Sequence, residues 1–144
     1  MNKYLITLVL STFVLGATAQ KKNDSFRLNI RKATSEIVID GHADDKAWED
    51  TDIADDFYMV LPMDTGKANE HSEIRMAYDD KHIYLLAIFY NTIRGPNYVE
   101  SLRRDFSFGK NDNFLLFIDP FNNQTTGFSF GTNAAGAQWD GTMY

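Results

Sequence analysis

The sequence predicts an all-β fold, an antiparallel β-sandwich, on three observations. Residues 114–118 form an unbroken apolar run between turn residues, which is typical of a buried strand. Elsewhere apolar and polar residues alternate, and no segment keeps a sustained helical period. The connections between these segments are short enough for hairpins, and a series of hairpins favours two packed antiparallel sheets.

The run at residues 114–118 anchors the clearest predicted hairpin near the end of the chain. We expect this strand to be buried on both faces and to end at Pro120, because proline cannot donate to a strand ladder. Residues 121–127 supply turn chemistry. In residues 128–131, two phenylalanines alternate with Ser and Gly, so the return strand has one apolar face and one small, polar face. A further strand is expected to begin near Gln138.

The earlier part of the chain predicts shorter elements. Residues 20–36 are expected to be a flexible leader with a possible first strand at residues 27–31. Residues 37–39 predict a strand that ends at an Asp-Gly turn. Asp44 can cap one helical turn. That turn would carry Trp48 inward as a core residue, in preference to a ligand platform.

A second hairpin is predicted in the middle of the chain. In residues 74–78, apolar side chains alternate with others, and residues 82–90 return as a mostly apolar strand after an Asp-Asp-Lys turn. Residues 52–62 can form an edge strand before it. We expect one sandwich domain over residues 37–144. Its six or so strands are few for two full sheets, so the domain is expected to lack its last strands.

Composition limits the classes of partner. The chain has 144 residues, of which 44% are hydrophobic and 24% charged, as in a globular domain. Its net charge of −6 opposes binding to nucleic acid or to anionic lipid, because like charges repel. The sequence contains no cysteine, which excludes disulfides, thiolate nucleophiles and cysteine metal sites.

The first nineteen residues have the pattern of a signal peptide. Lys3 precedes an apolar run at residues 4–15, and Ala17-Thr18-Ala19 matches a small-residue cleavage site. The alternative is a buried N-terminal helix. No later segment is apolar and long enough to span a membrane as a helix. We therefore expect an exported protein, located in the periplasm, at the outer membrane or outside the cell.

Several short motifs resemble the family 9 carbohydrate-binding module-like domains. Ile39-Asp40-Gly41 followed by residues 44–48 is similar to the opening of those domains, and residues 77–84, 111–119 and 128–136 match later motifs in order. The resemblance covers residues 37–140. It implies a jelly-roll β-sandwich, sugar binding, and attachment to polysaccharide-degrading enzymes such as xylanases.

Two segments are similar to one subgroup of that family. Arg103-Arg104-Asp105 and residues 136–140 resemble domains at the N-terminus of large secreted proteins, ahead of an outer-membrane β-barrel. At the positions that contact sugar in the family, this chain departs from the pattern and has Phe108-Gly109, Leu115, Ser129 and Gly131. The partner that the resemblance implies is therefore a poly- or oligosaccharide, or a protein such as the C-terminal barrel region of a longer parent.

Sugar sites combine aromatic faces with planar polar groups, and two neighbouring segments offer both. The candidate ligand-binding residues are Tyr98, Arg103, Arg104, Phe106, Phe108, Asn133, Gln138, Trp139 and Asp140. Trp139 is the strongest candidate, because polar residues flank it on both sides. In the alternative interpretation, the aromatic residues complete the core and the arginines pair with Asp105 and Asp112.

A calcium site is the one cofactor that the sequence suggests. Its candidate ligands are Asp112, Asp119, Asn122 and Asn123, whose oxygens suit a hard cation. The alternative is that these are ordinary turn residues.

Catalysis has little support in the sequence. Adjacent carboxylate pairs such as Asp79 and Asp80 lie in turns and point in different directions, which does not suit glycoside hydrolysis. We expect no enzyme activity from this chain alone, and whether it belongs to a larger glycoside hydrolase stays open. The leading hypothesis is a secreted carbohydrate-binding accessory domain in polysaccharide catabolism. The alternative is a structural or interaction domain of an outer-membrane protein, without sugar affinity.

Overall fold

The computed structural model describes residues 26–61, 66–93 and 95–144. The predicted signal peptide, residues 1–19, lies outside the described residues. The chain divides into two compact units, one ending at Thr92 and one running from Ile93 to Tyr144, where the sequence suggested one continuous domain over residues 37–144. Each unit carries its own sheet.

The first unit contains a four-stranded sheet in which one central strand pairs with all three others. Its strands are β1 (Arg31–Lys32), β2 (Ile53–Ala54), β3 (Ser72–Tyr78) and β4 (Ile83–Phe89). β4 pairs antiparallel with β3 over all seven residues, which confirms the predicted central hairpin. On the other side of β3, β1 pairs in parallel and β2 antiparallel at different positions.

β4 has an unusual composition for a strand at the side of a sheet. Its seven residues include no charged residue, proline or glycine. Among the described residues, it pairs only with β3. Natural edge strands are commonly interrupted by such residues, because open backbone groups can pair with other chains.

Trp48 forms the core of the first unit, as predicted. It lies in one turn of 3-10 helix, Lys46–Trp48, and is buried with Ile37, Ala47 and Ala77. The cap position is Asp45 rather than Asp44, and no side-chain cap bond forms there. The Asp45 carboxylate instead accepts a hydrogen bond from the Val38 N–H at 3.3 Å.

The predicted strand at residues 37–39 is wrong. Only Ile37 packs in the core, while the side chains of the next two residues are exposed. The Asp40 N–H donates to the Val38 carbonyl at 3.1 Å, which bends the chain before a strand partner can pair. The possible first strand at residues 27–31 is reduced to β1, and the edge strand over residues 52–62 is reduced to β2.

The second unit contains a three-stranded antiparallel sheet. Its strands are β5 (Asn113–Ile118), β6 (Gly127–Asn133) and β7 (Gln138–Met143), with β6 in the centre. This confirms the predicted late hairpin and the strand that begins at Gln138. With two sheets and almost wholly antiparallel pairing, the predicted all-β class is also confirmed.

Burial in this second sheet differs from the prediction. β5 was expected to be buried on both faces, but its apolar side chains remain partly accessible and Phe117 is 55% exposed. The buried side chains are instead the small ones of β6, such as Ser129. Large side chains of the outer strands lie over this central strand: a Cβ at Gly131 would clash with the Leu115 side chain.

Candidate functional site

Two aromatic side chains form the most distinctive accessible feature of the second unit. Phe108, in the 3-10 turn Phe108–Lys110, meets Trp139 of β7 edge to face, with ring centroids 4.7 Å apart. Phe106 packs against Phe108 at 6.0 Å. Phe106 is 5% exposed and Phe108 is 39% exposed, so Phe106 anchors the segment while Phe108 and Trp139 form what we call the aromatic platform.

The floor beneath the platform is made of small residues. A Cβ at Gly141 would lie 3.0 Å from Cη2 of Trp139 and 3.3 Å from Oγ of Ser129, so the indole extends over this glycine. The Ser129 hydroxyl donates to the Gly141 carbonyl at 3.1 Å. Because Gly141 has no side chain, the indole can lie close to the sheet.

Three polar residues near the platform residues in the sequence form one bonded group, in which Arg104 bonds both Gln138 and Asp140. Nη1 of Arg104 donates to Oε1 of Gln138 at 3.2 Å, and Nη2 forms an ion pair with the Asp140 carboxylate. The Asp105 N–H donates to the Gln138 carbonyl at 3.0 Å. The structure therefore brings together the two segments that the sequence analysis singled out, residues 103–108 and 138–140.

The aromatic and polar groups nevertheless lie on opposite faces of the sheet. Side chains of a strand alternate between its two faces, so Trp139 points away from Gln138 and Asp140. The burial pattern of β7 agrees, because Gln138 and Asp140 are exposed and Trp139 is half-buried. The candidate ligand-binding residues of these two segments are therefore divided between the two faces of the sheet. A single sugar ring cannot stack on the indole and bond the Arg104 group at once.

Asn133 occupies an interior position rather than the platform surface. It is 4% exposed. Its Nδ2 donates to the Ser101 carbonyl at 2.7 Å and to Oδ1 of Asn111 at 3.3 Å. Its Oδ1 accepts from the N–H groups of Ala135 and Ala137, at 3.0 and 2.9 Å. All four bonding positions of the carboxamide are used, so its predicted contact with a ligand is corrected to support of the surrounding loops.

Two asparagines that the sequence analysis treated as turn residues prove important. Asn111 is buried, and its Oδ1 accepts from the N–H groups of Glu100 and Ser101 at 3.0 and 3.2 Å. Nδ2 of Asn113 donates to the Phe108 carbonyl at 2.8 Å. Strand register places Asn113 on the same face as Trp139, so its amide lies at the rim of the platform. Their only sequence signal was the motif Asn111-Asp112-Asn113, which bounds the strand.

Tyr98 and Arg103 are both exposed. Tyr98 is fixed by its backbone, which exchanges hydrogen bonds of 2.7 Å with the N–H and the carboxylate of Asp112. In the described part of the chain, no ring contact joins Tyr98 to Phe108 or Trp139. The alternative ion pairs of the arginines with Asp105 and Asp112 are not observed for Arg104, which pairs with Asp140.

The predicted calcium ligands do not form one site. Asp112 and Asp119 lie at opposite ends of β5, which has six residues, so roughly 20 Å of extended chain separates them. Asn122 and Asn123 follow Asp119 in the turn and lie at that same far end. A single ion cannot take ligands from both ends, and the four-residue set is therefore corrected.

Near Asp119, the oxygens serve the turn that joins β5 to β6. The Asp119 carboxylate accepts from the N–H groups of Gln124 at 2.7 Å and Phe121 at 3.0 Å. The Gln124 bond is the main reason why the pKa of Asp119 is lowered. Oδ1 of Asn123 accepts from two backbone N–H groups of the same turn. Residues 26–61, 66–93 and 95–144 contain no group of three His, Cys, Asp or Glu side chains placed to hold a metal ion.

A cavity in the first unit is lined by none of the predicted ligand residues. It measures about 480 Å³ and is lined mainly by polar residues, among them Arg31, Lys32, Glu49 and Asp50. Arg31 is paired with Asp52 at 3.1 Å, which leaves its charge neutralised. The aromatic platform, in contrast, is an open surface.

Comparison of the chain with protein-family models, with curated proteins and with solved structures found no match in any of the three. Among the described residues, no helix has the length and apolar character required to cross a membrane.

Proposed function

We propose that the chain is a non-catalytic carbohydrate-binding module of an exported protein, and that the aromatic platform is its binding surface. The observation that carries this proposal is the edge-to-face contact of Phe108 with Trp139 at 4.7 Å on an accessible part of the sheet. Aromatic rings suit the apolar face of a pyranose, and a few placed polar groups then fix its orientation. Asn113 provides such a group at the rim.

The charges around the platform favour a neutral glycan. Arg104 and Asp140 neutralise each other on the opposite face, so neither charge is directed at a sugar on the indole. The chain as a whole has a net charge of −6, which disfavours acidic polysaccharides. Neutral plant-type glycans such as xylan or cellulose derivatives are therefore the class to test first.

A non-catalytic role agrees with the position of Asp140. Its carboxylate follows Trp139 in sequence, but it is paired with Arg104 on the other face. Glycoside hydrolysis by the usual route needs two carboxyl groups on either side of the scissile bond. Asp140 is not placed to serve a sugar that rests on the platform.

A protein-interaction domain is the second candidate. Val60 and Leu61, adjacent in the chain, are each 81% exposed, and Ile39 is almost equally exposed. A contiguous exposed apolar patch marks a surface that binds other proteins, and the adjacent pair Val60 and Leu61 is where such a patch would be centred. The division of the predicted ligand residues between two faces also favours this alternative.

Affinity electrophoresis tests the proposal. The chain is run through gels that contain xylan, cellulose derivatives or other neutral glycans, with calcium and with chelator. We expect one glycan to retard the protein and Phe108→Ala or Trp139→Ala to abolish the retardation. Phe121→Ala is the matched control, because Phe121 is an exposed aromatic residue in the turn after β5.

The outcomes separate the two candidates. Retardation that the platform variants abolish and Phe121→Ala preserves supports the sugar module. If a folded sample migrates freely in every gel, the sugar proposal is wrong and the interaction domain is favoured. The dispersion of an NMR spectrum establishes folding independently of binding.

A further inference from the structure

We propose that Arg104 is a positioning residue, which holds the aromatic platform in place from the opposite face of the sheet. The inference rests on the proposed function only in treating the platform as the binding surface. The geometry of residues 104–108 carries it.

This segment wraps around the outer side of β7. Arg104 bonds Gln138 and Asp140 on one face of the sheet. The next residue, Asp105, donates its backbone N–H to the Gln138 carbonyl at the strand edge, at 3.0 Å. The segment then reaches the other face, where Phe108 contacts Trp139. The five consecutive residues 104–108 therefore contact both faces of the sheet and the outer edge of β7.

The backbone at the crossing point has a left-handed conformation. Asp105 has φ of 58°, in a region that most residues with a Cβ avoid and that Asp enters more readily than most. Such a conformation persists only where its surroundings hold it. The Arg104 side chain holds the segment before Asp105, and the buried ring of Phe106 holds it after. Without the Arg104 contacts, the backbone at Asp105 can relax, and Phe108, whose carbonyl Asn113 still holds, shifts against Trp139.

Arginine suits this role better than lysine. The two acceptors, Oε1 of Gln138 and the carboxylate of Asp140, belong to side chains two residues apart on the same face. A planar guanidinium can donate to both at once through Nη1 and Nη2. A lysine ammonium can keep the ion pair but lacks the fixed fork, so Arg104→Lys should preserve the position only in part.

The role of Arg104 makes binding of a neutral ligand depend on salt. Both partners of the Arg104–Asp140 pair are about half exposed, so dissolved ions screen their attraction. A neutral glycan on the platform makes no ionic contact of its own. Salt dependence of its affinity would therefore report the state of the ion pair.

Fluorine NMR of the chain labelled with 5-fluorotryptophan tests the inference without a ligand. The chain has two tryptophans, Trp139 in the second compact unit and Trp48 in the first. The resonances are assigned with Trp139→Phe. We expect Arg104→Gln to shift or broaden the Trp139 resonance and to leave that of Trp48 unchanged. Arg104→Lys should have a smaller effect. The double variant Arg104→Asp with Asp140→Arg should restore part of the original position.

Arg103→Gln is the matched control. Arg103 is the adjacent exposed arginine, and its side chain has no partner among the described residues. The inference is wrong if Arg104→Gln leaves the Trp139 resonance in place, if Arg103→Gln moves it equally, or if the Trp48 resonance changes as much as that of Trp139.

Binding gives a second readout that separates this inference from the proposed function. We expect Arg104→Gln to weaken glycan retardation about two- to fivefold and to remove its salt dependence, because exposed ion pairs contribute modestly. If no glycan retards the wild-type chain while the Trp139 resonance still depends on Arg104, the positioning role stands and the sugar proposal fails. If the glycan binds and the resonance does not move, only the positioning role fails.

Discussion

Nδ2 of Asn133 donates to Oδ1 of Asn111 at 3.3 Å, and this bond between two buried carboxamides joins the last residue of β6 to the segment before β5. Nδ2 of Asn111 also donates to the Ser107 carbonyl at 2.9 Å, directly before Phe108. The position of the aromatic platform therefore depends on two side chains that no ligand would touch.

Asn111→Ala should destabilise the second unit by about 2–3 kcal/mol. The substitution removes the acceptor of two part-buried hydrogen bonds, from the N–H groups of Glu100 and Ser101, and it also removes a partner of the buried Asn133 amide, whose unmet bonding capacity is costly. Chemical denaturation followed by Trp139 fluorescence in a Trp48→Phe background measures the effect. Asn97→Ala, at an exposed asparagine in the same unit, should change stability by less than about 0.5 kcal/mol. Equal effects of the two substitutions would contradict the role of Asn111.

Gly131→Ala should destabilise the same unit by about 1–3 kcal/mol, because the added Cβ meets the Leu115 side chain and, at 2.9 Å, the Phe114 carbonyl oxygen. The backbone contact cannot be relieved by a rotamer change. Gly109→Ala is the control, since a Cβ there would have nothing within 4 Å. Thermal denaturation of both variants checks this prediction, and a Gly131→Ala variant as stable as the control would refute it.

Trp48→Ala should cost about 3–5 kcal/mol, the usual range for truncation of a buried aromatic side chain. The ring is buried with Ile37, Ala47 and Ala77, so a cavity would remain at the centre of the first unit. Trp139→Ala should cost less, because that indole is half-buried. Denaturation monitored by far-ultraviolet circular dichroism measures both, and the reverse order of stabilities would show that the core lies elsewhere.

Asp79 should make the first unit sensitive to acid. The Lys81 N–H and the Tyr84 hydroxyl bond its carboxylate and hold the pKa of Asp79 well below its usual range. A lowered folded-state pKa contributes stability that is present above the unfolded value of about 3.9 and is lost as pH falls towards the folded value. Asp79→Asn should therefore flatten the fall in urea midpoint between about pH 5 and pH 2.

The control for this pH effect is Asp80→Asn. Asp80 is the next residue in the turn and its side chain is 83% exposed, in an ion pair with Lys32. In Asp80→Asn, the urea midpoint should fall with decreasing pH much as it does in the wild-type chain. If the urea midpoint of Asp79→Asn falls with pH as steeply as that of the wild-type chain, other carboxyl groups cause the acid sensitivity.

Local patterns in the sequence were sufficient for the hairpins and for the Trp48 core. In β3 and β4, alternation and an Asp-rich turn act over a few residues, so the pairing could be predicted. The strand expected at residues 37–39 has the right side chains, but strand formation also needs a partner. The Asp45 carboxylate and the Val38 carbonyl take the hydrogen bonds that a strand would have used.

The candidate site shows a similar limit. Alternation along β7 already separates Trp139 from Gln138 and Asp140, so the division between faces was readable from the sequence. The hydrogen bonds of Asn111 were not, because they join residues 10, 11 and 22 positions away in the chain. Only the folded backbone brings those groups together.

The composition of β4 has a practical consequence for handling the protein. Its seven residues contain no charge, proline or glycine and are rich in apolar and aromatic side chains, a composition that promotes cross-β self-assembly. Concentrated samples of the isolated chain should therefore form thioflavin-positive fibrils that grow from this strand. Ala87→Lys, which puts a charge in the middle of the strand, should raise the concentration at which they appear.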